Sequence, residues 1–164
     1  MKTMKRLGLG SFVWMAVIAL AAATIALTHA CGSDDDNKFV ANMTGGEEVP
    51  PVDATGTGFA QFKFRNNDTE IDYEISQSGL VAVLFAHIHV GDPGVNGPII
   101  FNLALAPFTD LSGTLTSADL LPAPAMGISN FSDAVNAIKA GNTYANIHTA
   151  AHPGGEVRGQ IHKK

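Results

Sequence analysis

The chain has 164 residues, 46% of them hydrophobic, and a formal net charge of −5 from 15 acidic and 10 basic side chains. Once an export segment is set aside, that length holds one domain, and the apolar content excludes a chain disordered throughout. Removing residues 1–30 takes away Lys2, Lys5 and Arg6 and no acid, which leaves seven basic against fifteen acidic groups, a net charge of −8. A surface this acidic excludes nucleic acid as a partner.

Residues 1–30 have the layout of a secretory signal: Lys2, Lys5 and Arg6, an apolar run over 7–27, then Thr28-His29-Ala30. The apolar run is also long enough for an uncleaved membrane-spanning helix. Cys31, the only cysteine, rules out an internal disulfide. Its place at the leader's end resembles the lipidated residue of a bacterial lipoprotein: Ala30 fits, whereas Thr28 stands where such signals usually carry Leu. Gly32-Ser33-Asp34-Asp35-Asp36-Asn37 reads as a solvated tether, since the three Asp lack the alternating spacing and later Glu of a calcium loop. The expected organisation is a signal peptide over 1–30, an acidic tether over 31–37 behind a lipidated Cys31, and one domain over 38–164. The expected location is an anchored, exported protein of the cell envelope, at the outer membrane and facing the cell surface. Its expected partners are the membrane, through the lipid, and an envelope or extracellular protein that the sequence does not identify.

From Phe39 onward the hydrophobic period is two. Ala60, Phe62 and Phe64 alternate with Gln61 and Lys63, and Ile71, Tyr73 and Ile75 alternate with Asp72 and Glu74, with turn residues Arg65-Asn66-Asn67-Asp68 between. These two runs predict a hairpin. Further strands are expected over 39–43, 81–90, 99–103, 111–115, 143–149 and 156–161. Phe131, Val135 and Ile138 at helical spacing predict one short helix, started by Ser132 and Asp133 and ended by Lys139 and Gly141. Many short strands with Gly and Pro punctuation argue for an all-β antiparallel sandwich of Greek-key type. Phe62, Phe64, Ile71, Tyr73, Ile75, Ile88 and Val157 are its core candidates.

The chemically richest segment is Leu84-Phe85-Ala86-His87-Ile88-His89-Val90. On a strand, His87 and His89 share one face about 6–7 Å apart at the backbone. His148, brought alongside, would complete a three-nitrogen site open to a fourth ligand and suited to copper or zinc. His152, in the loop beyond His148, could swing in as that ligand. Affinity would then fall as pH drops through about 6–7, where ordinary imidazoles protonate. The alternative is structural: imidazoles bonded to backbone and to Glu156 or Asn146, locking the sandwich edge. His162, beside the terminal lysines, reads as frayed. Arg158 shares a strand face with Glu156 and Gln160, so it either ties the last strand down through an ion pair or, with Glu156, contacts a ligand near the histidines. No catalytic constellation stands out. Glu47 and Glu48 are adjacent and would point opposite ways, and the glycines at 91, 94 and 97 lack the Lys-Ser/Thr and helix of a phosphate loop.

The segments Gly46-Glu47-Glu48-Val49-Pro50-Pro51-Val52 and Ala54-Thr55-Gly56, Gly91-Asp92-Pro93-Gly94-Val95-Asn96-Gly97-Pro98, and Pro153-Gly154-Gly155-Glu156-Val157-Arg158-Gly159-Gln160 frame these histidines. In that order they resemble the CHRD domain, first recognised in chordin and common as a single copy in bacterial secreted proteins. The resemblance covers roughly 38–162. It implies a β-sandwich with some architectural kinship to copper/zinc superoxide dismutases, and a binding or scaffolding role rather than a defined reaction. Dismutase chemistry itself fails on inventory: it calls for roughly six imidazoles over two metals, and the chain beyond residue 30 has five histidines.

Overall fold

The computed structural model describes residues 37–105 and 107–164. The leader, Cys31 and the acidic run up to Asp36 lie outside the described residues. Among the described residues, no helix is long and apolar enough to cross a membrane.

Among the described residues, nine strands form two antiparallel sheets. The strands are β1 (Lys38–Met43), β2 (Thr57–Arg65), β3 (Glu70–Ser78), β4 (Val83–Val90), β5 (Ile99–Ala104), β6 (Asp110–Leu115), β7 (Thr143–Thr149), β8 (Val157–Gln160) and β9 (His162–Lys163), with one helix, α1 (Phe131–Ala140), before β7. One sheet has the order β6-β3-β2-β1-β9 and the other β5-β4-β7-β8. After the β4–β5 pair in the second sheet the chain returns to lay β6 beside β3, a Greek-key-like crossover. The all-β sandwich with one short helix is therefore the fold.

Alternation builds the core directly. Phe62, Phe64, Ile71 and Ile75 from the first sheet meet Ile88, Ile147 and Val157 from the second, all at most 2% exposed. Tyr73 packs against this core while its hydroxyl donates to the Leu103 carbonyl at 2.9 Å. Burying each large apolar side chain contributes roughly 1.5–3 kcal/mol.

Three details depart from the sequence reading, each for a local reason. β4 begins at Val83 because Ala82 adopts a left-handed φ of 53°, which breaks the extended run immediately after Val81. The helix is capped by Asn130, whose side chain accepts from the Asp133 amide while Asp133 bonds back, so the cap lies before Ser132. His162 is not frayed: it pairs with Val40 across β1, and Ile161 beside it is fully buried, so the C-terminus closes the sheet.

Candidate metal centre

The site lies on the outer face of the β5-β4-β7-β8 sheet, opposite the core. Across β4 and β7, Phe85 pairs with His148, His87 with Asn146 and His89 with Tyr144; across β7 and β8, Asn146 pairs with Arg158 and Tyr144 with Gln160. The period of two thus sends Ile88 inward and all of these side chains outward. Register irregularities in the β4–β5 ladder fall between Ala86 and His87 and between Ile88 and His89. Bulges of this kind re-aim side chains next to functional sites.

Loops cover this face, so its polar groups are buried: His87, His148, Asn146 and Arg158 are each at most 7% exposed and His89 is 9% exposed. The loop over 91–98 folds back on the sheet at Gly97, where an added Cβ would lie 1.6 Å from the Val90 carbonyl. Only glycine permits that approach. It places the Gly97 carbonyl 2.9 Å from His89 Nδ1. The 152–156 loop does the same for His148, whose Nδ1 lies 3.0 Å from the Pro153 carbonyl. A carbonyl only accepts, so both Nδ1 atoms carry the proton and both Nε2 atoms present lone pairs. His148 Nε2 then accepts from His87 Nδ1 at 3.0 Å. His89 Nε2 is buried with no hydrogen-bond partner among the described residues.

One nitrogen from each of His87, His89 and His148 lies within 4.8 Å of the others. Two ligands at about 2.0–2.1 Å from one ion stand at most about 4.2 Å apart, so small ring rotations close the set around a single ion. The 3.0 Å between His87 and His148 is already a ligand–ligand spacing. Backbone carbonyls holding the remote nitrogens of His89 and His148 are the usual outer support of metal-bound imidazoles.

The electrostatics keep the rings neutral. Burial, with the neighbouring imidazoles, lowers His87 to about 4. Burial also lowers His89 to about 4, against its bond to Gly97 and with help from Arg158 and His148. His148 is lowered by burial as well, opposed by its bond to Pro153. All three rings therefore stay neutral below the ordinary imidazole range, and coordination through His87 Nδ1 would need only that its proton move to Nε2, so the acid limit on binding would move down from the 6–7 expected of free side chains.

The remaining candidates are placed differently. His152 lies outside the three-nitrogen cluster: its backbone N–H donates to Thr149 Oγ1, and its carbonyl takes the Thr149 and Gly155 amides. Glu156 accepts from Thr149 Oγ1 at 2.5 Å. Arg158 stacks its guanidinium 3.5 Å from the centre of the Tyr144 ring, whose other neighbour is the parallel His89 ring at 4.8 Å. It donates to Asn96 Oδ1 and to the carbonyls of Asp92 and Val95. Arg158 thus pins the 91–98 loop that orients His89 through neutral acceptors, in place of the ion pair expected to tie down the last strand. Asn96 also donates to the Val49 carbonyl, which ties in the 45–52 segment.

Sequence reasoning passed over Glu48, which is 6% exposed and accepts from Asn146 Nδ2 at 3.0 and 3.3 Å. Burial pushes its carboxyl up to about 7, against the pull of Arg158, Asn146 and the Val49 amide. The expected extended run is broken here: Glu47 ends a 3-10 turn over Gly45–Glu47 and is exposed, whereas Glu48 leaves that turn in extended geometry and is buried.

Searches of curated proteins and of solved structures returned no match. Glu48 and Val49, the 91–98 loop and the segment from Pro153 to Arg158 thus meet over one histidine face, in a chain whose residues 39–161 match the family model described as the CHRD domain, and the chain belongs to the CHRD domain family.

Proposed function

We propose that this protein is an exported, lipid-anchored binding module that holds one copper or zinc ion on His87, His89 and His148. Membership of the CHRD family marks the domain as a binding module. The observation that carries the metal reading is the set of three imidazole nitrogens within 4.8 Å, two of them with remote nitrogens fixed by carbonyls and one buried lone pair without a donor. Neutral nitrogen donors with a fourth position left for solvent or substrate suit Cu(II) and Zn(II). Metal analysis of protein purified without a histidine tag, followed by titration with each ion, tests it. One equivalent should bind, His89→Ala should abolish binding with the sandwich still folded, and His162→Ala should change nothing. No stoichiometric metal in any condition would refute the reading.

A second reading is favoured by the direct His87–His148 bond of 3.0 Å, which alone could make the triad a hydrogen-bonded lock in a scaffolding domain. It expects a His89→Ala variant that loses thermal stability and does not respond to copper or zinc. The anchor is tested separately. Mass spectrometry of the native protein should find an acylated Cys31 at the N-terminus, and an unmodified terminus or retained residues 1–30 would remove this part of the proposal.

A further inference from the structure

Glu48 is the only buried carboxyl side chain among the described residues. It is held as a built-in part of the histidine face: Asn146 donates to both of its oxygens, and Gly155 closes over it so tightly that an added Cβ would lie 2.6 Å from Oε1. Asn146 is the cross-strand partner of His87 and stands between Tyr144 and His148 on the outward face of β7. Cross-strand partners are about 4.5–5.5 Å apart at Cα, which puts the carboxyl within about 10 Å of an ion on the three imidazoles.

The charge inventory of this face is otherwise one-sided. The three imidazoles are neutral donors, and Arg158 is a fully buried cation two pairings away, so a divalent ion would bring the buried total to three positive charges. Buried charge without a counter-charge is strongly unfavourable. The sandwich itself asks only for a hydrogen-bond acceptor at position 48, and a glutamine oxygen would serve Asn146 equally well. What a carboxyl adds is charge.

We propose, resting on the reading of His87, His89 and His148 as a metal site, that the Glu48 carboxylate is the counter-charge of the bound ion and sets the site's preference for divalent over monovalent metal. A carboxyl poised near neutrality in the ion-free fold is drawn to its anionic form by a nearby cation, which supports this assignment. Its attraction scales with the charge on the ion. At about 10 Å and an effective dielectric near 20, one carboxylate is worth about tenfold in affinity per unit of ion charge.

The test is titration of the wild-type protein and Glu48→Gln with Zn(II), Cu(II) and, against a chromophoric competitor, Cu(I), together with the Cu(II)/Cu(I) reduction potential. Glu48→Gln keeps shape and an acceptor for Asn146 while removing the charge. It should weaken Zn(II) and Cu(II) about 100-fold and Cu(I) about tenfold, so that the potential rises by the tenfold difference, about 60 mV. A merely structural role for Glu48 would weaken all three ions equally and leave the potential where it was, which would overturn the proposal. Should Glu48→Gln not fold, the pair Glu48→Asp and Glu48→Asn makes the same comparison at one side-chain length, and equal potentials in the pair would overturn it too. Wild-type protein that binds none of the three ions refutes the metal site itself, and this inference with it. Wild-type binding with an unchanged ratio refutes only the role of Glu48.

Discussion

Acidifying the domain in the presence of a chelator sets two kinds of buried group against each other. His87 and His89 titrate near 6.5 when unfolded and at about 4 when folded. Below 6.5 the unfolded chain therefore binds more protons, so the stability these rings contribute is complete above 6.5 and is lost as pH falls through the folded value. At about 1.4 kcal/mol per group and pH unit, the two together cost about 2.7 kcal/mol per unit of acidification. Glu48 works the other way: its folded value of about 7 lies above 4.5, so its contribution is complete below 4.5 and is lost as pH rises through about 7. Between pH 6.5 and 4.5 it returns about half of what the histidines take away. The wild-type domain should lose about 3 kcal/mol over those two units and Glu48→Gln about 5 kcal/mol. His148, lowered in the same sense, steepens both curves. Urea unfolding at half-unit pH steps measures both profiles. A flat wild-type profile, or two parallel ones, would refute the assignment of buried neutral imidazoles opposed by a buried acid.

Arg158→Lys should destabilise the fold by about 2–4 kcal/mol, because a lysine cannot both stack on Tyr144 and reach Asn96, Asp92 and Val95; an unchanged denaturation midpoint would contradict this. Gly155→Ala forces a Cβ to within 2.6–2.8 Å of the Glu48 and Asn146 polar atoms at a φ of 128°. It should cost about 1–3 kcal/mol, read from the same midpoint, with a wild-type value counting against the packing described. Phe62→Ala, at 1% exposure in the centre of the sandwich, should cost about 3–5 kcal/mol by denaturant unfolding, and a loss below 1 kcal/mol would place it outside the core.

The sandwich was legible because its strands obey a period of two almost without exception: Phe62, Phe64, Ile71 and Ile75 all face inward as their alternation requires. The pairing of His87 with His89 was legible for the same reason. That His148 would join them was a guess about sheet order, and β7 earns it by lying next to β4. The polar surround was not legible. Whether Arg158 makes an ion pair or reaches the 91–98 loop depends on how loops fold over a sheet, and short-range sequence patterns carry no such information. Glu48 reaches Asn146 across 98 residues of chain, and His152 stays out of the cluster because backbone bonds to Thr149 and Gly155 fix its loop. Ends were misjudged where terminal strands gain a partner, as His162 does on Val40.

The face over β4 and β7 draws on most of the described chain, since its side chains run from Glu48 through His87 and His148 to Arg158, and the two bonded imidazoles are 61 residues apart in sequence. A chain that had not yet formed β7 and β8 would offer His87 and His89 alone, with neither carbonyl in place to set a tautomer. On the metal reading, capture of an ion would be tied to completion of the fold, because Arg158 on β8 holds down the 91–98 loop that orients His89.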